Sequence, residues 1–286
     1  MTINIDTKTD FTNSDEDKGW RAQLDLEITH RGEKSVVSHS RQKGPLTIQN
    51  PFYPENEVCH LYLLHPPAGI VGGDKLQLSI ITKDKGAALI TTPGATKFYR
   101  SNGLLAAQHQ EFTVCDGSSL EWLPQETIYF PNADAGLNTR VHLEGSGKYI
   151  GWEIHCLGLP ANKKDFADGK AQMSFCLFRD KVPILLESID ISAEKKRYQA
   201  AFLQDKQVFG SLVATGGDEI LIDLLRKQLS TYKHGIWGVT LLDDILVLRY
   251  LGKSTNEARE LFTKAWEVIR PKTLGRGAAR PRIWAT

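Results

Sequence analysis

The feature that most constrains the fold of this chain is an alternation of apolar and polar residues that recurs along most of its length. In the first such run, Ala22, Leu24, Leu26 and Ile28 alternate with polar neighbours, which is the period-two pattern of a half-buried strand. Further apolar or alternating runs, separated by turn residues, lie at 58–64, 76–80, 87–92, 107–114, 139–143, 149–157, 173–178, 208–214, 236–242 and 245–251. Many short strands joined by turns predict a mostly β architecture of stacked sheets.

The C-terminal third of the chain also predicts a few α-helices. Apolar residues recur at helical spacing within 217–232. A second helix is expected to begin at Ser254, because Ser254 and Glu257 have the spacing of a capping box, and to end at Pro271. Residues 19–286 are therefore predicted to form a single large β-rich domain.

Composition limits the classes of function. The chain has 286 residues, 41% of them hydrophobic, and a formal net charge of +1, which argues against a general nucleic-acid or anionic-membrane binder. No apolar run approaches the roughly 20 residues that span a bilayer. Residues 1–18 are polar and acidic, so they are predicted to form a disordered tail rather than a secretory signal. The expected location is the cytoplasm.

The familiar catalytic motifs are missing from the sequence. Gly94 is separated from Lys97 by two residues, whereas a P-loop needs glycine directly before the lysine. Gly69 and the pair 72–73 lie between two predicted strands, whereas a dinucleotide fingerprint joins a strand to a helix. Neither a G-x-S-x-G elbow nor an H-E-x-x-H motif occurs. Any nucleotide chemistry must therefore come from a partner.

One pair of residues is a candidate for binding a transition metal. Glu153 and His155 are two positions apart in a strand-like run, so their side chains share one face of that strand. Carboxylate and imidazole suit a borderline transition ion, but Cys156 points to the opposite face. A histidine on a strand more often packs or forms a hydrogen bond, and both interpretations stay open. The four cysteines are widely spaced and are expected to be reduced, packed thiols.

Three segments rich in proline, glycine and charge, at 64–74, 91–100 and 120–127, carry further candidates. Asp74, Glu121 and Glu126 lie in or beside these segments. They are predicted either to line a polar passage that handles a cation loosely, or to accept turn amides or pair with Lys97 or Arg100. Aromatic residues and arginine are enriched in interaction hot spots. A partner contact and a strand with one buried face are thus alternatives for the three residues Phe98, Tyr99 and Arg100.

These segments resemble the urease accessory protein D family, known as UreD and in some bacteria as UreH. The matching stretches occur in order from about residue 20 to the C-terminus, at 65–74, 91–101, 121–127, 152–154 with Gly158, and 282–286. One departure is Ala68, where the family commonly has glycine. Several long motifs in order are specific, and the resemblance covers nearly the whole chain.

The resemblance implies a maturation factor that is not an enzyme. Family members help to install the nickel ions of urease, and they bind apo-urease together with a helical partner, UreF, which recruits the GTPase UreG. Nickel would bind only transiently, no cofactor would be held tightly, and GTP would act only through the partner GTPase. The resemblance also implies that the chain bridges UreF to urease and contains an internal polar tunnel for nickel. The alternatives are a β-rich hydrolase of small molecules and a carbohydrate- or peptide-binding module.

Overall fold

The computed structural model describes residues 19–191 and 202–285, so the tail predicted at 1–18 lies outside the described residues. Two stacked β-sheets and two C-terminal α-helices form one domain, which confirms the predicted fold class. Among the described residues, no helix is long and apolar enough to cross a membrane.

The first sheet has seven strands. Numbered in chain order, they are β1 (Arg21–Arg31), β2 (Lys34–Lys43), β5 (Lys75–Lys83), β8 (Ala106–Val114), β11 (Asp134–Leu143), β13 (Lys170–Arg179) and β14 (Val182–Asp190). Their spatial order is β14-β13-β11-β8-β5-β1-β2. Alternate residues of these strands, such as Leu24, Leu78 and Val141, are buried against the second sheet, which is the arrangement that period two predicts.

The second sheet has ten strands. They are β3 (Thr47–Ile48), β4 (Cys59–Leu64), β6 (Ala87–Thr91), β7 (Thr96–Phe98), β9 (Ser119–Trp122), β10 (Thr127–Tyr129), β12 (Lys148–Leu157), β15 (Val208–Thr215), β16 (Ile236–Leu242) and β17 (Ile245–Gly252). The main path runs β16-β17-β15-β12-β9-β6-β4-β3, and β10 joins β12 to β7. This sheet is buried on both faces, because the helices cover the side that faces away from the seven-stranded sheet.

The two helices are α1 (Glu219–Leu229) and α2 (Thr255–Thr273). Ser254 caps α2 as predicted, since its hydroxyl accepts a hydrogen bond from the Glu257 backbone amide at 3.3 Å. The Glu257 carboxylate, however, accepts from the Tyr250 hydroxyl at 2.8 Å. The prediction that α2 ends at Pro271 was wrong, because the helix runs to Thr273. Pro271 has no amide hydrogen to donate to the Glu267 carbonyl, yet the helix continues past it, and the Thr273 hydroxyl donates to the Ile269 carbonyl at 3.1 Å.

Candidate functional site

The three proline- and glycine-rich segments meet at one end of the two-sheet sandwich. Ile70 forms an isolated parallel bridge with Phe98, which joins the segment 64–74 to the segment 91–100. The Thr92 hydroxyl accepts from the Gln125 amide at 2.9 Å and so joins the second segment to the third. Segments far apart in sequence thus form one surface.

A close backbone approach fixes the first of these segments. A Cβ atom on Gly69 would lie 2.1 Å from the Tyr99 ring, so only glycine fits there without displacing the ring. Ala68 adopts a φ of 64°, the left-handed region that glycine occupies more readily. Alanine at position 68, where the family commonly has glycine, therefore keeps the turn but holds a somewhat strained backbone conformation.

A cavity of about 300 Å³ opens beneath the first two segments. Its wall contains His65, Thr92, Thr96 and Lys97 from the segments, and Gln108 from β8 of the seven-stranded sheet. The first cavity therefore lies where the turn-rich end of the sandwich meets the space between the sheets.

A second cavity, of about 20 Å³, continues between the sheets. It shares Thr92, Thr96 and Gln108 with the first cavity and adds Gln110. Gln110 is only 5% exposed, and its Oε1 atom accepts no hydrogen bond from the residues that the structure describes. A buried polar atom without a partner is costly, so Oε1 is an open ligand position in the wall of this narrow space.

A third cavity, of about 40 Å³, lies between β12 and β15 of one sheet and β13 and β14 of the other, and Glu153 and His155 line it. Glu153 also lines the second cavity, so it stands between the two. The His155 Nε2 atom lies 3.7 Å from Glu153 Oε2, which confirms that the two side chains share a face of β12. Cys156 packs on the opposite, helix-covered face as predicted. Glu187 of β14 faces the same cavity.

Burial sets the protonation states of this pair. It raises the pKa of the Glu153 carboxyl to about 7, although a hydrogen bond from Thr139 opposes the rise, and the charge of Glu187 reinforces it. Burial lowers the pKa of His155 to about 4, so the imidazole is neutral near pH 7. The His155 Nδ1 atom is 3.1 Å from the Tyr129 hydroxyl, which leaves Nε2 as the nitrogen nearer to Glu153.

The Glu153 shift predicts a pH-dependent stability difference. The pKa of this carboxyl is higher in the folded chain than in the unfolded chain, so its protonation stabilises the fold at low pH. That stabilisation is lost as the pH rises from about 4.5 to about 7. Relative to wild type, Glu153→Gln should therefore gain about 2–3 kcal/mol in free energy of unfolding between pH 5 and pH 8. Urea unfolding at both pH values measures this, and an equal difference at both would contradict the assignment.

The other predicted carboxylates lie apart from these cavities. Asp74 is 6% exposed, and its carboxylate accepts from the backbone amides of Trp20 at 2.8 Å and Val71 at 3.0 Å. Asp74 thus takes the turn-amide role that was the alternative to lining a passage. Glu126 lies 3.5 Å from Arg259 Nη1 and borders a separate cavity of about 780 Å³ near the start of α2.

Glu121 belongs to a buried ion network on the helix side of the ten-stranded sheet. It is 1% exposed, and its carboxylate accepts from Trp266 Nε1 at 2.7 Å and Arg270 Nε at 2.9 Å. Arg270 also donates to Glu55 at 2.6 and 2.7 Å, and His60 Nε2 is 2.6 Å from the same carboxylate. Burial raises the pKa of Glu55, but its bonds with His60 and Arg270 outweigh this and leave the pKa at about 2. The network anchors α2 to the sheet.

The aromatic triplet divides between core and surface. Phe98 is fully buried and stacks on Tyr129 with ring centroids 5.3 Å apart. Tyr99 is half-buried against Phe130, and Arg100 is exposed. The prediction of a partner contact therefore rests on Tyr99 and Arg100. The motif at the C-terminus docks nearby, where Trp284 Nε1 donates to the Thr91 hydroxyl at 3.0 Å.

The sequence analysis did not identify the polar residues that line the interior, although the alternation pattern of β8 marks two of them. Gln108 and Gln110 fall in the same phase of β8 as the buried Phe112 and Val114. Polar side chains in the inward phase of an alternating strand must find partners or border a polar space. Glu187 is harder to identify from the sequence, because buried and exposed residues alternate less regularly in the edge strand β14.

The candidate site is thus a series of cavities inside a two-sheet β-sandwich, with a few polar side chains set in mainly apolar walls. Within residues 19–191 and 202–285, no group of three or more His, Cys, Asp or Glu side chains is placed to hold a metal ion. The ligand groups are spaced along the interior instead of converging on one point. This arrangement defines a β-sandwich protein with scattered polar groups along its interior cavities rather than a closed metal centre.

Comparison with known proteins gives the family. The UreD urease accessory protein family matches residues 20–285. Urease accessory protein UreD of Alcanivorax borkumensis is 43% identical, with 94% of this chain and 93% of the relative covered. UreD 2 of Brucella anthropi is 41% identical over 94% and 99% of the two chains, and UreD of Klebsiella aerogenes is 38% identical over 94% and 98%. The chain belongs to the UreD family of urease accessory proteins, which confirms the resemblance.

Proposed function

We propose that this chain is a nickel-insertion chaperone of urease, and that the three cavities between its sheets are the route by which nickel reaches the apo-enzyme. The proposal rests on the residues that neighbouring cavities share. Gln108 lines the first and second cavities, and Glu153 lines the second and third. Family membership supports the link to urease.

The chemistry of the walls suits passage better than storage. A storage site for a borderline ion gathers several nitrogen, oxygen or sulfur ligands in one place. A conduit needs groups that bind well enough to admit the ion and weakly enough to release it. The buried Gln110 Oε1, the Glu153 carboxylate and the neutral His155 imidazole supply one or two ligands at a time. Nickel is therefore cargo here and not a resident cofactor.

The proposed assembly divides the steps of nickel delivery between this chain and its partners. Its sequence has no P-loop, and we assign GTP hydrolysis to a UreG-like GTPase. Membership of an accessory-protein family supports a role for this chain that is not catalytic. In the proposed assembly, the chain bridges apo-urease to a UreF-like helical protein that recruits the GTPase. We place this assembly in the cytoplasm, and Tyr99 and Arg100 on its contact surface. Partner side chains would meet these residues at the end of the sandwich where the first cavity lies.

Co-expression tests the maturation role. Apo-urease, the UreF-like protein and the UreG-like GTPase are produced with and without this chain, and nickel is supplied to both. The proposal predicts that the chain co-purifies with all three, and that urease becomes active only in its presence. Equal urease activity without the chain, with no complex formed, would contradict the proposed function.

A further inference from the structure

The third cavity is framed by two rows of side chains, one from each sheet. Across the ten-stranded sheet, Glu153 of β12 pairs with Ser211 of β15, and Ser211 pairs with Arg249 of β17. Across the seven-stranded sheet, Thr139 of β11 pairs with Phe175 of β13, and Phe175 with Glu187 of β14. Directly paired residues lie on the same face of a sheet, so the two rows face each other.

The rows are joined at both ends. The Thr139 hydroxyl donates to Glu153 at the inner end, and the Arg249 guanidinium donates to Glu187 at the outer end. The side chain of Glu187 is 21% exposed and that of Arg249 is 50% exposed. The ion pair between them therefore lies at the solvent-exposed side of the two rows.

The charges around the cavity are unequal along its length. Two carboxylates, Glu153 and Glu187, face it, and one fixed cation, Arg249, neutralises only the outer carboxylate. A divalent cation that moved past Glu153 would next meet Glu187 and would compete with Arg249 for that carboxylate. Because the guanidinium is tethered to β17, it returns to Glu187 whenever the ion leaves.

We propose that Arg249 is a tethered counter-ion of the nickel route, which neutralises Glu187 at the outer end of the third cavity and so keeps cation binding there weak. This inference rests on the proposed function, because it takes nickel as the ion that passes Glu153 and Glu187. Without the guanidinium, the Glu187 carboxylate would face the cavity with no counter-charge. The cavity would then retain nickel instead of releasing it.

Nickel binding to the purified full-length chain tests the inference directly. Equilibrium dialysis with radioactive Ni²⁺ is carried out on wild type, Arg249→Met and Arg249→Lys. We expect Arg249→Met to bind Ni²⁺ about tenfold more tightly, because the Glu187 carboxylate, no longer neutralised by Arg249, is free to attract the ion. Arg249→Lys keeps the charge and should bind like wild type. Adding Glu187→Gln to Arg249→Met should abolish the gain in affinity.

The chain offers a control for the loss of one partly exposed ion pair. Arg179 Nη2 lies 2.9 Å from Asp244 Oδ2, is partly exposed, and borders none of the three cavities. Arg179→Met should leave Ni²⁺ affinity unchanged. Wild-type or weaker affinity in Arg249→Met, or equal tightening in Arg179→Met, would overturn the counter-ion role.

Urease activation separates this inference from the proposed function. If both hold, Arg249→Met should bind Ni²⁺ tightly and activate urease slowly, because release becomes limiting. Tighter Ni²⁺ binding with normal activation would support the counter-ion and contradict nickel delivery through these cavities.

Discussion

Replacing Gln110 with leucine should slow urease activation about tenfold, because it removes an oxygen ligand from the route, and a tenfold slower passage corresponds to a barrier about 1.4 kcal/mol higher. Gln110 lies in the narrowest of the three cavities, and its Oε1 atom has no hydrogen-bond partner among the described residues. Leucine has a similar volume, so the sandwich should fold with unchanged or slightly greater stability. Urease activity in cells that co-express the accessory proteins measures the effect.

The control makes the same chemical change on the other face of the same sheet. Gln172 is exposed on β13, and Gln172→Leu should leave activation unchanged. Both variants should co-purify equally with apo-urease, because the substitution is expected to affect the passage of nickel and not the assembly of the complex. Lost assembly in Gln110→Leu, or full activation with assembly intact, would contradict the role of the interior.

The largest expected effect on stability comes from the buried ion network. Arg270→Met would leave the Glu121 carboxylate buried without its cation, although Trp266 would still donate to it. Removing one partner of a buried ion pair typically costs about 3–5 kcal/mol. Urea unfolding of the variant should show a loss of this size, and the attachment of α2 to the sheet should weaken with it.

An exposed ion pair on the same helix is the control for this measurement. Lys264 Nζ lies 2.7 Å from Glu260 Oε1 one turn away, and both side chains are about half exposed. Lys264→Met should cost less than about 0.5 kcal/mol. If Arg270→Met cost no more than Lys264→Met, the network would not be the anchor of α2.

The regular strands were predictable from the sequence because one face of each is buried. The alternation that begins at Ala22 marks β1, and similar patterns mark β5, β8 and β13. Edge strands were harder, since an edge strand is partly solvated on both faces. β2 carries few apolar residues, and β14 contains Pro183, a residue that sheets accept mainly at their edges.

The candidate site was only partly predictable. Spacing alone placed Glu153 and His155 on one face, because that relation is local. The partners of Glu121 were not predictable, since Arg270 lies 149 positions further along the chain. The same holds for Glu187 and Arg249, which come from different sheets. Long-range pairs depend on how the sheets stack, which residue spacing does not specify.

The most direct test of the central claim is the amount of nickel that reaches urease through this chain. Purified apo-urease in complex with this chain and its accessory partners is supplied with GTP and radioactive nickel, and the nickel in urease is counted over time. The account predicts slow filling of urease with Gln110→Leu and wild-type filling with Gln172→Leu. Equal rates for wild type and Gln110→Leu, with the complex intact, would show that nickel does not pass between the two sheets.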